Sequence, residues 1–408
     1  MNREKVSIVK VADKTVDAAV KLAVDLIGGM EKFLKPGQSV VLKPNYTGNL
    51  PQDSGGVTSN AVMESVIRLL QDAGAGKIVI LEGCGTIALG TKRICENLGI
   101  DKIAERYGVE LRDANLAEMC TETHETFVEL EQVTYTREIK DFDLVINVPV
   151  MKTHPLTDVT VAMKNMNGLL EPKEKRHFHD MNLRQAIVDF HQILPKYLTI
   201  VDGITAMEGM GPAEGTPVPL GIIMAGANPV AVDATGARIM DFDPKQVVYL
   251  QYAEQAGLGP VEEDQIEICG EPICNVKRHF QPAEPGKLSF DGVTIIEEKS
   301  ALNCVGCRAV VAIALSRIRA AGQLKEFKGM HILLHDAPSK DIELGEGEQL
   351  LCIGNCTRDY CEACNDPNVH FVMGCAPAGL TVEEAMRRIY GVAKKNQEMT
   401  AAGPIGGK

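Results

Sequence analysis

Short apolar runs that each stop at a polar loop constrain the fold of this chain more than any other feature. The run Leu144-Val-Ile-Asn-Val-Pro149 is nearly all apolar, as a parallel strand buried on both faces should be. Similar runs occur at 39–45, 77–82, 198–202 and 220–224. Between the first two, residues 62–73 repeat apolar side chains with helical spacing, after an expected N-cap at Thr58 and before a stop at Gly74. This βαβ pattern predicts an α/β fold with a mostly parallel sheet and flanking helices.

The loops after these strands are the first place to look for a site, because open α/β sheets usually bind ligands at the carboxyl ends of their strands. They begin at Lys43-Pro-Asn45, Glu82-Gly-Cys84, Lys152-Thr-His154, Asp202-Gly203 and Asn228-Pro229. Positively charged or titratable side chains here stand out in a chain whose net charge is −13. We predict a positive pocket for an anionic small molecule, with Lys152, His154 and Lys164 as catalytic residues.

The same pocket is expected to include further residues that bind the substrate. These are Lys43, Asn45, Asn165, His177, His179, Asp202 and Asp233. Two alternatives stay open at this point. The basic stretch 173–176 is equally well explained as a solvated loop, and Asp202 as a turn or cap residue at a strand end.

A change in composition at 275–298, where Pro and Gly become frequent, predicts a domain boundary. The first domain is expected at 1–285 and a smaller cysteine-rich α/β domain at 286–395, with strands at 331–334, 349–353 and 369–373. The Gly-rich end, 396–408, is predicted to be a disordered tail.

Twelve cysteines in the expected reducing compartment favour metal, redox or catalytic roles over disulfides, and the clustering of seven of them between Cys304 and Cys375 strengthens this expectation. Cys304 and Cys307 precede a predicted helix, whose N-terminus suits anionic sulfur. Cys356 and Cys375 follow two predicted strands, and if those strands are parallel neighbours both loops open at one edge of the sheet. We therefore predict that Cys304, Cys307, Cys356 and Cys375 bind a [4Fe–4S] cluster.

Zinc is the main alternative for these thiols, since Cys304/Cys307 and Cys361/Cys364 are the two closely spaced pairs that zinc sites favour. A chain without metal is the second alternative. Cys352 lies inside a predicted strand and is expected to be a core thiol. For Cys361 and Cys364, a second metal, a redox pair and plain surface thiols all remain open.

Composition excludes several classes of function. The chain has no Trp and 4% aromatic residues, so base-stacking platforms for nucleic acid are not expected, and its negative charge disfavours binding to nucleic acid or anionic membranes. The N-terminus shows no apolar signal segment and the chain has no apolar run of membrane-spanning length, so a cytoplasmic protein is expected.

Several stretches together resemble the DUF362 family, whose members are often iron–sulfur proteins of anaerobic prokaryotes. They are Val41-Leu-Lys-Pro-Asn45, Asp143-Leu-Val-Ile-Asn-Val-Pro-Val-Met-Lys-Thr-His154, Met163-Lys-Asn-Met-Asn-Gly168, Val201-Asp-Gly203, Gly209-Met-Gly-Pro212 and Ala227-Asn-Pro-Val-Ala-Val-Asp233. The ferredoxin insert common in that family is absent, and the terminal Gly374-Cys-Ala-Pro377 is similar to an alternative cluster domain, with Ala376 where Pro is common. The ten-residue spacing of His154 and Lys164 is also similar to that of a functional His and Lys in the nickel-pincer lactate racemases, a similarity of spacing alone.

The expected function is that of an oxygen-sensitive iron–sulfur oxidoreductase that passes electrons between the C-terminal cluster and the anionic small molecule or a second cofactor. A redox partner protein is expected, and a homo-oligomer is left open. The alternatives are a non-catalytic cluster carrier, maturation factor or electron-transfer protein, and a zinc-stabilised or redox-neutral enzyme.

Overall fold

The structure is a computed structural model that describes residues 3–12, 14–84, 90–284, 288–297, 306–335, 342–374, 376–377 and 379–394. Within these residues the strands are β1 (Glu4–Lys10), β2 (Ser39–Pro44), β3 (Lys77–Glu82), β4 (Glu110–Asp113), β5 (Met119–Glu122), β6 (Val133–Thr136), β7 (Leu144–Val148), β8 (Val150–His154), β9 (Asp158–Thr160), β10 (Tyr197–Glu208), β11 (Thr216–Gly226), β12 (Ile266–Gly270), β13 (Val293–Glu297), β14 (Met330–Leu334), β15 (Gln349–Ile353) and β16 (Val369–Val372). The α-helices are α1 (Val16–Leu26), α2 (Asn60–Asp72), α3 (Thr91–Leu98), α4 (Ile100–Tyr107), α5 (Ala162–Asn165), α6 (Pro172–Asp180), α7 (Leu183–His191), α8 (Pro229–Ile239), α9 (Val248–Gln255), α10 (Gly306–Ala320), α11 (Arg358–Ala363) and α12 (Gly379–Tyr390).

The larger of two compact units, residues 1–175 and 184–282, is built on one sheet. Its strand order is β12-β1-β11-β10-β7-β2-β3-β4, and β8 pairs with both β10 and β9. Most neighbouring strands in it are parallel, including β7, β2, β3 and β4. Apolar faces of α1, α2, α3 and α4 pack with these strands into one buried core. The predicted fold class, a mostly parallel α/β sheet with flanking helices, is confirmed.

Two predicted elements of this sheet differ from the structure. The run 220–224, expected to be a parallel strand, belongs to β11, which is antiparallel to both of its neighbours. It is antiparallel to β10 because β10 and β11 are successive arms of one hairpin. The segment Lys152-Thr-His154, expected in a loop, lies in β8. Pro149, which has no N–H to donate, separates β8 from β7.

The helix between β2 and β3 begins one residue later than predicted. Ser59, not Thr58, is the N-cap of α2, and its hydroxyl accepts a hydrogen bond from the Val62 N–H at 3.4 Å. The Thr58 hydroxyl is already engaged, because it accepts from the Asn45 N–H at 2.8 Å and donates to the Val148 carbonyl at 2.7 Å. The helix stops as predicted, with Gly74 in a left-handed conformation just after it.

The smaller unit, residues 176–183 and 283–408, has its own sheet of four parallel strands in the sequential order β13-β14-β15-β16. Helices α10 and α12 pack against each other in this unit. The strand β13 was not predicted, because it lies in the stretch whose Pro and Gly content indicated a linker. The predicted tail, 396–408, lies outside the described residues. In the part of the chain that the structure describes, no helix combines the length and apolarity that crossing a bilayer requires.

Candidate functional site

A buried ion pair joins the ends of two neighbouring parallel strands in the larger unit. Lys43 is the penultimate residue of β2 and Glu82 the last residue of β3, and the Lys43 Nζ lies 2.8 Å from Glu82 Oε1. The two side chains are 1% and 3% exposed. Glu82 also accepts hydrogen bonds from the backbone N–H groups of Tyr46 and Gly83, at 3.0 and 2.8 Å. The pair is therefore neutralised and hydrogen-bonded on both sides, as a buried charge must be.

Glycine at 168 makes room for this pair. A Cβ atom at Gly168 would lie 2.7 Å from both Lys43 Nζ and Glu82 Oε1. Gly83 is equally confined, because a Cβ there would lie 2.4 Å from the Gly168 carbonyl oxygen and 2.7 Å from Lys175 Nζ. The close approach of these backbones explains why glycine occupies both positions.

Lys152 reaches the same region from β8. Its Nζ donates to Asn45 Oδ1 at 2.6 Å and to the Gly56 carbonyl at 2.7 Å, and the side chain is almost fully buried. Burial and, to a smaller extent, the positive charge of Lys164 lower the pKa of Lys152 to about 7. Both forms of this amine are therefore populated near neutral pH.

Lys164 differs from Lys43 and Lys152 in that its amine has no acceptor among the described residues. It lies on the short helix α5 and is partly buried, and among the described residues it has no hydrogen-bond or salt-bridge partner. Burial lowers its pKa to about 8. An ammonium without an acceptor in a desolvated place is a ready contact for an incoming anion. We refer to Lys43, Glu82, Lys152 and Lys164 as the lysine site.

Asp233 fixes the helix that carries Lys164. Its carboxylate accepts from the N–H groups of Ala162 and Met163, at 2.6 and 3.2 Å, and from the Tyr249 hydroxyl at 2.9 Å. Burial raises the pKa of Asp233 to about 7. Asp233 was predicted to bind substrate. In the structure its carboxylate holds the first turn of α5.

A chain of amides links the lysine site to the sheet. Asn45 Nδ2 donates to Asn165 Oδ1 at 2.7 Å, and Asn165 Nδ2 donates to Asn147 Oδ1 at 2.7 Å. Asn147 in turn donates to the Ala162 carbonyl at 2.9 Å. The side-chain amides of Asn45 and Asn165 are therefore engaged in hydrogen bonds that hold Lys152 and α5 in place.

The remaining predicted residues lie in different surroundings. His154 is buried at the end of β8, and its Nδ1 accepts from the Leu156 N–H at 3.0 Å. Asp202 accepts from the N–H groups of Ser59 and Ile204 at 2.8 and 3.1 Å, and burial raises its pKa. His177, which is exposed, and His179 belong to the smaller unit.

Two residues of this region were not among the predicted site residues. One is Glu82, and the other is Lys175, whose Nζ donates to the Gly83 carbonyl at 2.8 Å and to Asn115 Oδ1 at 2.6 Å. Burial lowers the pKa of Lys175 to about 8. The position of Glu82 at the end of a predicted strand was a usable signal for its role.

The smaller unit brings together loops that carry two of the predicted cluster ligands. Cys307 is buried in the first turn of α10, and a Cβ atom at Gly354 would lie 2.6 Å from its Sγ. Gly354 follows β15 with φ at +93°, and Cys356 is exposed in the turn that follows. The sulfur of Cys307 therefore occupies the space that a side chain at Gly354 would fill.

The loop after β16 meets the same turn. β15 and β16 are parallel neighbours, which is the condition on which the predicted convergence of these loops depended, and the Asn355 N–H donates to the Gly374 carbonyl at 2.9 Å. The Gly374 N–H donates back to Asn355 Oδ1 at 3.0 Å. We refer to the first turn of α10, the turn 354–357 and Gly374 as the cysteine loops.

Cys307 lies in the first turn of a helix, whose N-terminus favours anionic sulfur, and it packs against the turn that carries Cys356. Cys304 and Cys375 lie outside the described residues, so the four-cysteine set stays a prediction. Among the residues that are described, no three or more His, Cys, Asp or Glu side chains are grouped so as to hold a metal ion.

A family model and a curated relative both match part of this chain. The model of the family described as "Domain of unknown function (DUF362)" matches residues 40–238. A thylakoid-associated protein of Synechocystis sp. is 31% identical over 251 residues, which cover 60% of this chain and 75% of that relative.

Two solved structures give a much weaker likeness. A crystal structure of a Thermotoga maritima protein is 12% identical with a TM-score of 0.38, covering 90% of this chain and 97% of that one. The lactate racemase apoprotein of Thermoanaerobacterium thermosaccharolyticum is 9% identical with a TM-score of 0.36, covering 92% and 94%. The family match and the identity to the Synechocystis relative together establish that this chain belongs to the DUF362 family.

Proposed function

We propose that this protein is an iron–sulfur oxidoreductase whose larger unit binds an anionic small molecule at the lysine site. The observation that carries the proposal is the amine of Lys164, which is desolvated, has no acceptor among the described residues and lies close enough to Lys152 to shift its pKa. The charge of Lys43 is already balanced by Glu82. The lysine site thus carries positive charge that a carboxylate or phosphate would compensate.

An anion bound to Lys164 does more than neutralise it. Negative charge beside two amines with lowered pKa values raises both pKa values, so binding draws a proton onto Lys152 or Lys164. An amine that titrates near neutral pH is well matched to donating or accepting a proton in the reaction. Lys152, held by Asn45 and Gly56, is oriented for this role.

The smaller unit supplies the second half of the proposal. Cys304, Cys307, Cys356 and Cys375 would bind a [4Fe–4S] cluster, which supplies one-electron transfer when bound. Support comes from Cys307, whose sulfur lies against Gly354 at the turn that carries Cys356. A redox partner protein and a cytoplasmic location complete the proposal. The Synechocystis relative is called thylakoid-associated, so cell fractionation is the direct test of location.

Titration with oxalate tests the anion site, because oxalate keeps the same charge throughout the neutral range. We expect Lys164→Met to lower the affinity about tenfold or more, since a hydrogen bond to a charged group contributes about 1.5–3 kcal/mol. Lys164→Arg should retain most of the binding. Lys173→Met, at an exposed lysine nearby in the chain, is the matched control and should bind as the wild type does. Equal affinity in the wild type and Lys164→Met would remove the lysine site from the proposal.

Anaerobic purification tests the cluster. We expect a brown protein with about four irons per chain and a paramagnetic resonance signal after reduction. Cys307→Ala and Cys356→Ala should lose the signal, while Cys274→Ala, at an exposed cysteine of the larger unit, should keep it. A colourless protein with stoichiometric zinc would contradict the redox function.

A further inference from the structure

Three cysteines of the smaller unit are separate from the predicted cluster ligands and lie close to one another. Cys352 lies in β15, Cys361 in α11, and Cys364 is the C-cap of that helix. In the sheet, Cys352 is paired laterally with Leu333 and Phe371, so the three side chains share one face. We refer to Cys352, Cys361 and Cys364 as the thiol trio.

Helix α11 covers this face of the sheet. Tyr360 and Cys361 pack against a buried cluster of Leu333, Leu350 and Cys352. Cys361 therefore packs against the part of the sheet that contains Cys352, and the two thiols are close enough for each to shift the pKa of the other. This contact joins residues nine positions apart in the chain and does not depend on the cysteine loops.

The third thiol connects this pair to solvent. The Cys364 thiol is close enough to the Tyr360 hydroxyl to raise the pKa of that hydroxyl, which itself accepts a hydrogen bond from the Ile342 N–H at 3.3 Å. Cys352 is completely buried, whereas Cys361 and Cys364 are partly exposed. The trio therefore runs from the protein surface to the core, which is the order that a thiol relay requires.

We propose that Cys352 and Cys361 form a reversible disulfide, with Cys364 as the thiol that exchanges with a low-molecular-weight disulfide. The arrangement that carries this is the packing of Cys361 against the buried cluster that contains Cys352, together with a partly exposed third thiol at the end of the same short helix. It is independent of the proposed function, because none of the three residues is a predicted cluster ligand.

The exchange balances in three steps. The Cys364 thiolate attacks one sulfur of the external disulfide, and one external thiol leaves with a proton. The Cys361 thiolate then attacks the Cys364 sulfur, forms the Cys361–Cys364 bond and releases the second external thiol. Finally the buried Cys352 thiol attacks Cys361 and passes its proton to the departing Cys364 sulfur, which forms the Cys352–Cys361 bond and returns Cys364 as a thiol. In sum, two protein thiols are oxidised to one disulfide and one external disulfide is reduced to two thiols.

Closure of this bond would tie α11 to β15. The helix begins at Arg358, directly after the turn that contains Cys356, so the crosslink restrains one of the cysteine loops at its C-terminal side. Reduction releases that restraint. The thiol trio is thus placed to make the mobility of the turn at Cys356 depend on the surrounding thiol–disulfide balance.

The test uses the full-length protein, purified anaerobically and incubated with glutathione disulfide. Remaining thiols are blocked with N-ethylmaleimide, and the protein is then digested and its peptides are mapped by mass spectrometry. We expect a crosslinked peptide pair that joins Cys352 to Cys361, and its disappearance after dithiothreitol. Glutathione that remains on Cys361 or Cys364 without an internal crosslink would overturn the inference.

Three variants sharpen the result. Cys361→Ser should abolish the crosslink, and Cys364→Ser should form the same crosslink about tenfold more slowly, because the exchange then starts at a less accessible sulfur. Cys274→Ser is the control and should behave as the wild type does. If zinc or iron is bound in the wild type and lost in Cys361→Ser, the trio is a metal site and the inference is wrong. If Cys361→Ser does not fold, the wild-type crosslink map alone decides.

Discussion

The lysine site and the cysteine loops both lie where parallel strands end, but different forces hold them together. In the lysine site, polar groups from distant parts of the chain are matched one by one: Lys43 with Glu82, and Lys152 with Asn45 and Gly56. In the cysteine loops, backbone atoms pack closely against each other and against a sulfur atom. The packing of Gly354 against the Cys307 sulfur is an example. The first depends on charge compensation and the second on the absence of a side chain.

The difference follows from what each region must accommodate. A buried ammonium needs an acceptor, and leaving it unpaired costs several kcal/mol. A buried thiol needs no counter-charge, but close packing leaves no room for an added methyl group. We therefore expect the lysine site to be damaged most by removing a charge and the cysteine loops most by adding volume.

The largest effect is expected when the buried ion pair is broken. Lys43→Met leaves the Glu82 carboxylate buried without its cation, which we expect to lower the free energy of unfolding by about 3–5 kcal/mol. Urea denaturation followed by circular dichroism measures the loss. The matched control is Lys77→Met, which breaks the exposed pair of Lys77 with Glu110 and should cost less than about 1 kcal/mol. Similar losses in the two variants would show that burial does not distinguish these pairs.

The next effect is expected when volume is added in the cysteine loops. Gly354→Ala places a Cβ where the sulfur of Cys307 lies, and it also forces alanine to a φ of +93°. Gly347→Ala is the matched control, because Gly347 has a φ of +78° and a Cβ there would meet nothing within 4 Å. In both variants the left-handed backbone conformation lowers the free energy of unfolding by about 1–2 kcal/mol.

Beyond that shared cost, Gly354→Ala should lose a further 1–3 kcal/mol, roughly the cost of overpacking. Urea denaturation compares the two variants. A second measurement follows Cys307 itself: its alkylation by N-ethylmaleimide should be faster in Gly354→Ala than in the wild type, and unchanged in Gly347→Ala. Equal stability and equal labelling in both variants would contradict the close packing of Cys307 against Gly354.

The sequence predicted the parallel core of the larger unit because strands buried on both faces must be apolar along their whole length. β2, β3 and β7 carry this signal directly. The same signal could not give the direction of β11, because an apolar run reads alike in parallel and antiparallel pairs. Lys152 was assigned to a loop since Pro149 ends one strand, and sequence alone does not show that the chain resumes pairing as β8.

The candidate site was predictable in its residue types and less so in its pairings. Lys152 and Lys164 follow from cationic side chains near strand ends in an acidic chain. The partner of Lys43 depends on which strand lies beside β2, and strand order is a tertiary property that no local pattern encodes. Asp202 and Asp233 were predicted to bind substrate, with a turn or cap role left open for Asp202, and the structure gives each of them backbone N–H donors.

The smallest of the expected effects concerns pH and the open amine of the lysine site. The pKa of Lys164 is lowered to about 8, so the amine is mostly protonated at pH 7 and mostly neutral at pH 9. An anion binds the protonated form, and the affinity for oxalate should therefore fall as pH rises, about tenfold over this range, or about 1.4 kcal/mol. Calorimetric titration at several pH values measures it.

The arginine variant decides whether Lys164 is the group that titrates. Arginine stays protonated far above pH 9, so Lys164→Arg should flatten most of the pH dependence and leave a smaller fall that comes from Lys152, whose pKa is lowered to about 7. A fall in affinity that is the same in the wild type and in Lys164→Arg would assign the titration to another group and leave the lysine site without its proposed contact.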